Sequence, residues 1–467
     1  MQNKTSNPAS NDFLRTLSAT VTATAAIVGV HHYYRKQRQP EARLQDYVIG
    51  ISAKMHSSAP LPRLQYAYQQ AKLAYQNYPD NSAQAVIIED KANALAERHT
   101  TTMLPRPVCW VSGVAAMPKS VSLANSKNTH NDNDHDFGVV GIDADRQLVW
   151  QTTMPERVHD IVVQPMATKN TQSRDVVVMG RRPSDGFWVL DTAKGQVKHT
   201  IKAATDRHFY GHACYSLDGA QLYITENDTV SLEGKIGIYN AANGYQKTGE
   251  FDSHGIGPHE LIMHPDGETL IVANGGIKTE QASREELNLD SMQPSLVYLN
   301  RHTGKLLEQI TPEHNQMSIR HLAIHNDGTV MIGVQFQGER HINVPLVLTH
   351  QRGDADFAPL FMPNNQWQRF HQYIASVAVD SERNLLCVTT PIGGCAAIYD
   401  VTTRQLIDSV PLPDCAGASV RVGEHGGFIV SDGQGQITTL LIPDRIAITT
   451  DSVTHKMSFD NHLQALL

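Results

Sequence analysis

Histidine is the residue type best placed to do chemistry in this chain: there are 23, against 39 lysines and arginines. Five short segments set histidines beside charged neighbours just where an apolar run begins. They are RVHD (157–160), RHFYGH (207–212), SHGIGPHE (253–260), SIRH (318–321) and FDNH (459–462). Neutral imidazole nitrogens and carboxylate oxygens are the usual ligands of borderline metals, so several reaching one point could hold zinc, iron or copper. His212, His259, Glu260 and His321 are the candidate ligands. Apart from the adjacent His259 and Glu260, they are separated by a repeat of about 50 residues and not by a local HxxxH spacing, so their convergence depends on the fold. The same neighbourhood offers Arg181, Arg182 and Arg320, whose planar guanidinium groups suit a carboxylate or phosphate. A small anionic ligand held there would also meet His208, Tyr210, His212 and His254. Glu226, Asn227, Asn274 and Gln335 (with Gln337 and Asp432) stand at the corresponding ends of neighbouring strands. The structural alternative is that these groups fill a polar axis with hydrogen bonds. His264 and His325, which precede PDG and NDG turns, read as turn polar groups.

What could position these residues is a repeat. An apolar strand followed by Asp or Asn, three residues, and Gly or Arg recurs as VLDTAKG, IYNAANG, YLNRHTG and IYDVTTR, ending at Gly195, Gly244, Gly304 and Arg404. Weaker copies end at Arg146, Gly353 and Arg445. Seven units of roughly 50 residues, each holding four short strands, are the signature of β-propeller blades. HDIVVQP, DVVVMGRR, GFWVLDT and QVKHTIK make one such unit. The turns LDG (217–219), PDG (265–267) and NDG (326–328) fall between first and second strands. The first unit shows only three strands, and the C-terminal HKMSFDNHLQALL is predicted to supply its innermost one, closing the ring and removing both sheet edges. The expected fold is all-β, a seven-bladed propeller of WD40/YVTN-like type. Five of its seven inner strands would then bring histidine to the upper mouth of one channel, the other two (YIAS, 373–376, and AGAS, 416–419) bringing none.

Composition bounds the rest. The chain of 467 residues has a formal charge of −8, which argues against a nucleic-acid partner bound through a basic face. Five cysteines without a CxxC pair indicate buried thiols. Residues 1–35 read as a signal peptide or membrane anchor, with the uncharged run Leu17–Val30 inside the segment 13–34; at 14 residues it is short for a span. Residues 36–104 have helical periodicity and read as a spacer, and 105–467 as the propeller. The membrane would be met only through the N-terminal segment, which would export the protein to the periplasm or anchor it to the inner membrane. An insertion, KTEQASREELNLDSMQPS (278–295), leaves the upper face and could cover the channel. SLANSKNTHNDNDHD (122–136) reads as a polar surface loop.

The segments RHFYGHACYSLDG, SHGIGPHELIMHPDG, VANGGI, LNLDSMQPSLVYL, SIRHLA and FDNHL resemble the bacterial envelope proteins grouped as domain of unknown function 1513, from about Phe137 to the C-terminus. The resemblance implies a periplasmic seven-bladed propeller associated with iron acquisition, with imelysin-like or di-haem peroxidase-like proteins as partners and no established activity. Its characteristic positions are His208, Tyr210, His212, His254, His259, Glu260, Arg320 and His321. Two features depart from the family pattern. DFLR (12–15) lacks the preceding arginine pair of a twin-arginine signal, and TPIGG (390–394) places Ile392 where the family commonly has arginine. GPHELIMHPDGETLIVANGG is also similar to the blade motif of propeller lactonases, which implies Glu260 or His259 as general base and Arg320 as oxyanion stabiliser. A third alternative is a protein-interaction scaffold, in which outer loops rather than the channel would matter.

Overall fold

The computed structural model describes residues 106–118, 135–165, 174–182, 184–278, 286–421 and 426–466. The expected signal or anchor (1–35), the helical spacer (36–104) and nearly all of the polar loop at 122–136 lie outside them. Among the described residues no helix is long and apolar enough to cross a membrane.

The repeat position proves to be a backbone necessity. Gly195, Gly244, Gly304, Arg404, Arg146, Gly353 and Arg445 all have φ between 54° and 98°, and each lies in the turn between the third and fourth strands of a sheet. The Asp or Asn before it folds that turn: Asp191 Oδ1 accepts the amides of Ala193 and Lys194, and Asn300 Oδ1 those of His302 and Thr303. The left-handed conformation favours glycine. Where arginine occupies it, the side chain finds work: Arg404 donates to the carbonyls of Ala358 and Pro359, and Arg445 donates to Arg383 O and pairs with Asp400.

Seven antiparallel four-stranded sheets result. Their inner strands are Ser458–Ala465 (blade 1), Val158–Val163 (blade 2), Arg207–Tyr215 (blade 3), Pro258–Met263 (blade 4), Met317–Ile324 (blade 5), Ser376–Asp380 (blade 6) and Cys415–Val420 (blade 7). Blade 1 is completed as expected, because Ser458–Ala465 pairs with Trp110–Pro118, setting Ala465 opposite Trp110.

The core lies between blades, because successive side chains of a strand face opposite sides of its sheet. In the second strand of blade 4, Leu270 and Val272 join Cys214, Tyr223 and Ile236 of blade 3. Ile271 and Ala273 face blade 5 and pack with Met331 and Leu322. In blade 2, Val176 and Val178 face blade 1 while Val177 and Met179 face blade 3. Both faces of these strands are buried, which is why they read as continuous apolar runs. The five cysteines are free, and all but Cys109 are buried.

Candidate metal centre

What turns the histidines inward is a set of β-bulges. The ladder between the first and second strands slips between Val158 and Ile161, between Phe209 and Ala213, between Pro258 and Glu260, and between Ile319 and His321. In blade 1 it slips between Phe459 and Leu463 of the C-terminal strand. The residues in or beside those slips are His159 and Asp160, Tyr210 to His212, His259, Arg320 and His321, and Asp460 to His462. A bulge takes residues off the regular ladder and re-aims their side chains; five adjacent blades do so at one level. Gly211 makes the closest approach: its φ is +108°, and a Cβ there would lie 2.6 Å from Cδ2 of His159. Blade 6 has no such slip, and blade 7 has one containing only Ala416.

Five imidazoles therefore pack against one another at the axis. Ring centroids are 4.6 Å apart for His159–His212 and for His212–His259, 4.9 Å for His259–His321 and for His212–His462, and 5.0 Å for His159–His462. Each Nδ1 for which a contact is seen meets an oxygen. His259 Nδ1 is 3.1 Å from Arg320 O, His321 Nδ1 3.1 Å from Glu260 Oε2, His212 Nδ1 3.3 Å from Asp160 Oδ2, and His462 Nδ1 3.6 Å from Asp160 Oδ1. Both ring nitrogens of His212, and Nε2 of His462, are buried with no aligned hydrogen-bond partner in the protein, so the Asp160 contact of His212 is one of charge proximity.

Charge is concentrated in two places. Burial opposes ionisation of Asp160, but the His212 imidazole and the Ala213 amide outweigh it and bring the carboxyl down to about 2. Burial likewise opposes the His212 imidazolium, yet Asp160 raises its pKa above the ordinary value. The remaining rings stay neutral: burial, reinforced by His212, holds His159, His259 and His321 well below the usual histidine range. Burial also drives His462 to about 3 against the pull of Asp160. Glu260 is pushed up to about 8 by burial, with Leu322 N donating to it at 3.2 Å. Cys214, close by, is kept protonated by burial, so the donors at the site are nitrogen and oxygen.

The four predicted ligands do come together. His212, His259, Glu260 and His321 can place one donor atom each within 4.8 Å of one another, and His159, His212 and His462 form a second such group. Donors at about 2.1 Å from a tetrahedral zinc-like ion lie about 3.4 Å apart, so the set would have to contract by somewhat more than an ångström at its widest to close on an ion. Glu260 is engaged with His321 and Leu322 N, an orienting position. Sequence reasoning did not single out His159, His462, Asp160, Arg157 or Asp460, although all five lie in the segments RVHD and FDNH. Arg157 grips Asp460 with two hydrogen bonds, joining the inner strands of blades 1 and 2.

The other predicted residues divide. Arg182 stands over the Tyr210 ring at 5.1 Å, with His208 5.6 Å from the same ring, and Arg320 donates to Ser318 Oγ. Arg181 lies close enough to influence the charges of His159 and Asp460. Asn227 and Asn274 are buried at the upper ends of their strands, Asn274 donating to Ser253 O. Gln335 donates to Ile374 O at the entry to blade 6, Gln337 donates to Gln335 O, and Asp432 accepts the amides of Gln434 and Gln436. Glu226 is not at the mouth: it is buried inside blade 3, accepting from Tyr239 and paired with Lys247 at 2.7 Å, since Gly237 beside it has no side chain to exclude it. His254 is also apart. It contacts Gly304 O and lines a separate cavity of about 430 Å³ with Met292, Gln293 and Gln309. His264 and His325 accept from amides in their own turns, as expected.

Residues 152–466 match the family described as "Protein of unknown function (DUF1513)". The chain belongs to that family. The DUF1513 match starts within the outer strand of blade 1, so the other two N-terminal strands of that blade precede it. No curated protein matches the chain. Among solved structures, one described as "Kuenenia stuttgartiensis Hydrazine Synthase" is similar at 14% identity with a TM-score of 0.49, covering 72% of this chain and all of that one. The family description carries no activity, so the function of this DUF1513 protein has to be read from the site.

Proposed function

We propose that this DUF1513 protein is a metal-binding propeller whose axis holds one transition-metal dication. His212, His259 and His321 would ligate it through Nε2, with His462 and His159 within reach to complete the set. Asp160 and Glu260 would orient the rings. The observation that carries this reading is the pattern of Nδ1 contacts. Histidines that bind metals commonly donate the other ring N–H to a carboxylate or carbonyl, which fixes the tautomer. His259 and His321 each set Nδ1 in hydrogen-bond contact with such an oxygen, and His212 Nδ1 lies 3.3 Å from the Asp160 carboxylate without hydrogen-bond alignment. A nitrogen-rich set with no thiolate suits zinc, copper(II) or iron. Rings packed centroid to centroid at 4.6–4.9 Å have no room among them for a macrocycle, which favours a free ion over haem.

That the metal is iron, that the protein works in the periplasm, and that imelysin-like or peroxidase-like proteins of iron uptake are its partners are proposed on the family resemblance. Cell fractionation and co-purification under iron limitation test that part. The metal reading is tested by titrating untagged, chelator-stripped and desalted protein with zinc, copper and iron. One equivalent should bind, and His212→Ala should weaken it at least tenfold. No bound metal and no thermal shift with any of the three would sink the proposal.

A further inference from the structure

The five rings are not equally enclosed. His212, His259 and His321, delivered by blades 3, 4 and 5, are 0%, 8% and 3% exposed, so those blades close over any ion they hold. His159 of blade 2 and His462 of blade 1 are only partly covered, and they stand on the two sides of the seam at which the ring closes. That seam is tight. A Cβ at Gly113 would lie 2.8 Å from Val158 Cγ2 and 3.5 Å from Asp460 Cβ, so a glycine in the second strand of blade 1 is what lets blade 2 and the closing strand approach. Arg157 clamps the seam from blade 2 with its two hydrogen bonds to Asp460. On the other side, a Cβ at Gly417 of blade 7 would lie 3.2 Å from Leu463 Cβ and 3.4 Å from Asn461 O.

The closing strand Ser458–Ala465 differs from the other four histidine-bearing inner strands in how it is joined. In blades 2 to 5 the inner strand runs along the chain into the second strand, with which it pairs. Ser458–Ala465 pairs instead with a strand from the start of the propeller: Ser112 and His462, in contact across the pair, are 350 positions apart. Only pairing and packing hold it there. Its ladder is interrupted between Phe459 and Leu463, over the residues it presents to the axis. Local opening of a fold proceeds through cooperative units of low stability, and this strand can leave its sheet without any hairpin being undone.

We propose that Ser458–Ala465 is the gate of the metal centre. Closed, it shuts the ion into the axis behind His462, with the Arg157–Asp460 clamp holding it in place. Opened at the seam between blades 1 and 2, it uncovers His159 and His462 and lets the ion enter or leave. The inference rests on the metal reading and adds the route by which the ion is exchanged. Linkage makes the device reciprocal, since an ion that engages His462 in the closed ring resists the opening.

The test loads full-length, untagged protein with zinc and follows its transfer to an excess of a chromogenic chelator. Release should level off as the chelator concentration is raised, because opening of the strand and not attack by the chelator limits it. Ala116 and Ser458 stand opposite each other in the pair, so an Ala116→Cys/Ser458→Cys variant allows a disulfide to be closed across the gate. Oxidised, it should release zinc at least about tenfold more slowly than wild type, and reduction with a phosphine should restore the wild-type rate. If the pair does not oxidise, Phe459→Ala carries the comparison. Phe459 anchors the strand in a core cluster with Trp110, Val140 and Ile437, and its loss should speed release at least about tenfold. Zinc that leaves the oxidised and the reduced variant at the same rate, an unchanged rate in Phe459→Ala, or release that rises with chelator without levelling off overturns the gate and leaves the metal reading intact. Protein that takes up no zinc at all sinks the metal reading and the gate with it.

Discussion

At the scale of single residues, the proposed centre would depend on groups that touch no candidate ion. Asp160 has its two oxygens near His212 Nδ1 and His462 Nδ1 while accepting the Ala213 amide. Removing its charge takes away the carboxylate that faces both rings. Second contacts of this kind are worth about 10- to 100-fold in metal affinity. Asp160→Asn should therefore fold normally and bind metal about 10- to 100-fold more weakly, as read by competition with a chromogenic chelator. Unchanged affinity would show that the carboxylate plays no orienting role. The sequence placed Asp160 inside RVHD but gave no reason to prefer it to His159, because which of two adjacent residues faces the axis is set by the bulge.

At the scale of elements, the seven turns between third and fourth strands can be tested by their differences. A Cβ at Gly244 would meet nothing closer than 3.9 Å, whereas at Gly195 it would lie 2.3 Å from the Trp150 ring. Gly244→Ala should cost only the left-handed backbone penalty, about 1–2 kcal/mol. Gly195→Ala should cost clearly more, because Trp150 must also move; urea denaturation compares the two, and equal losses would contradict the steric difference. Blade 3 also carries an acid-sensitive clamp between its inner and outer strands. Arg207, with Lys247, holds Glu250 down at about 2, below the ordinary carboxylate value of about 4.3. A depressed pKa stabilises the fold above the unfolded value and loses that contribution as the pH falls from about 4.5 towards 2. Glu250 is about one-third exposed, so screening limits the effect to about 1 kcal/mol. Glu250→Gln should lower stability at pH 7 and flatten its decline between pH 4.5 and 2.5.

At the scale of the whole molecule, closure and site are the same event. The C-terminal strand completes blade 1 and also brings His462 and Asp460 to the axis. Its Asp460 accepts two hydrogen bonds from Arg157, at the start of blade 2. Asp460→Asn would leave that cation largely buried without its counter-charge, a change that costs about 3–5 kcal/mol when a buried pair is broken. The variant should unfold at correspondingly lower denaturant and lose metal affinity as His462 loosens. A variant with wild-type stability would mean that the ends are held by strand pairing alone.

The blade count, the strand order within a blade, the closing strand and the convergence of His212, His259, Glu260 and His321 on one region were legible from the chain alone. A left-handed turn every 50 residues demands Gly or a tethered Arg after Asp or Asn, and doubly buried strands demand unbroken apolar runs. Those are local requirements, and local requirements leave marks at fixed spacing. Tertiary structure alone decided which of the remaining polar residues face the axis. Glu226 reads like a mouth residue but is claimed by Tyr239 and Lys247 within its own blade, while His159, Asp160, Asp460 and His462 are delivered by slips of register. A one-residue slip turns a side chain to the other face, and whether a ladder slips depends on how its neighbouring blades pack, which no stretch of sequence expresses by itself.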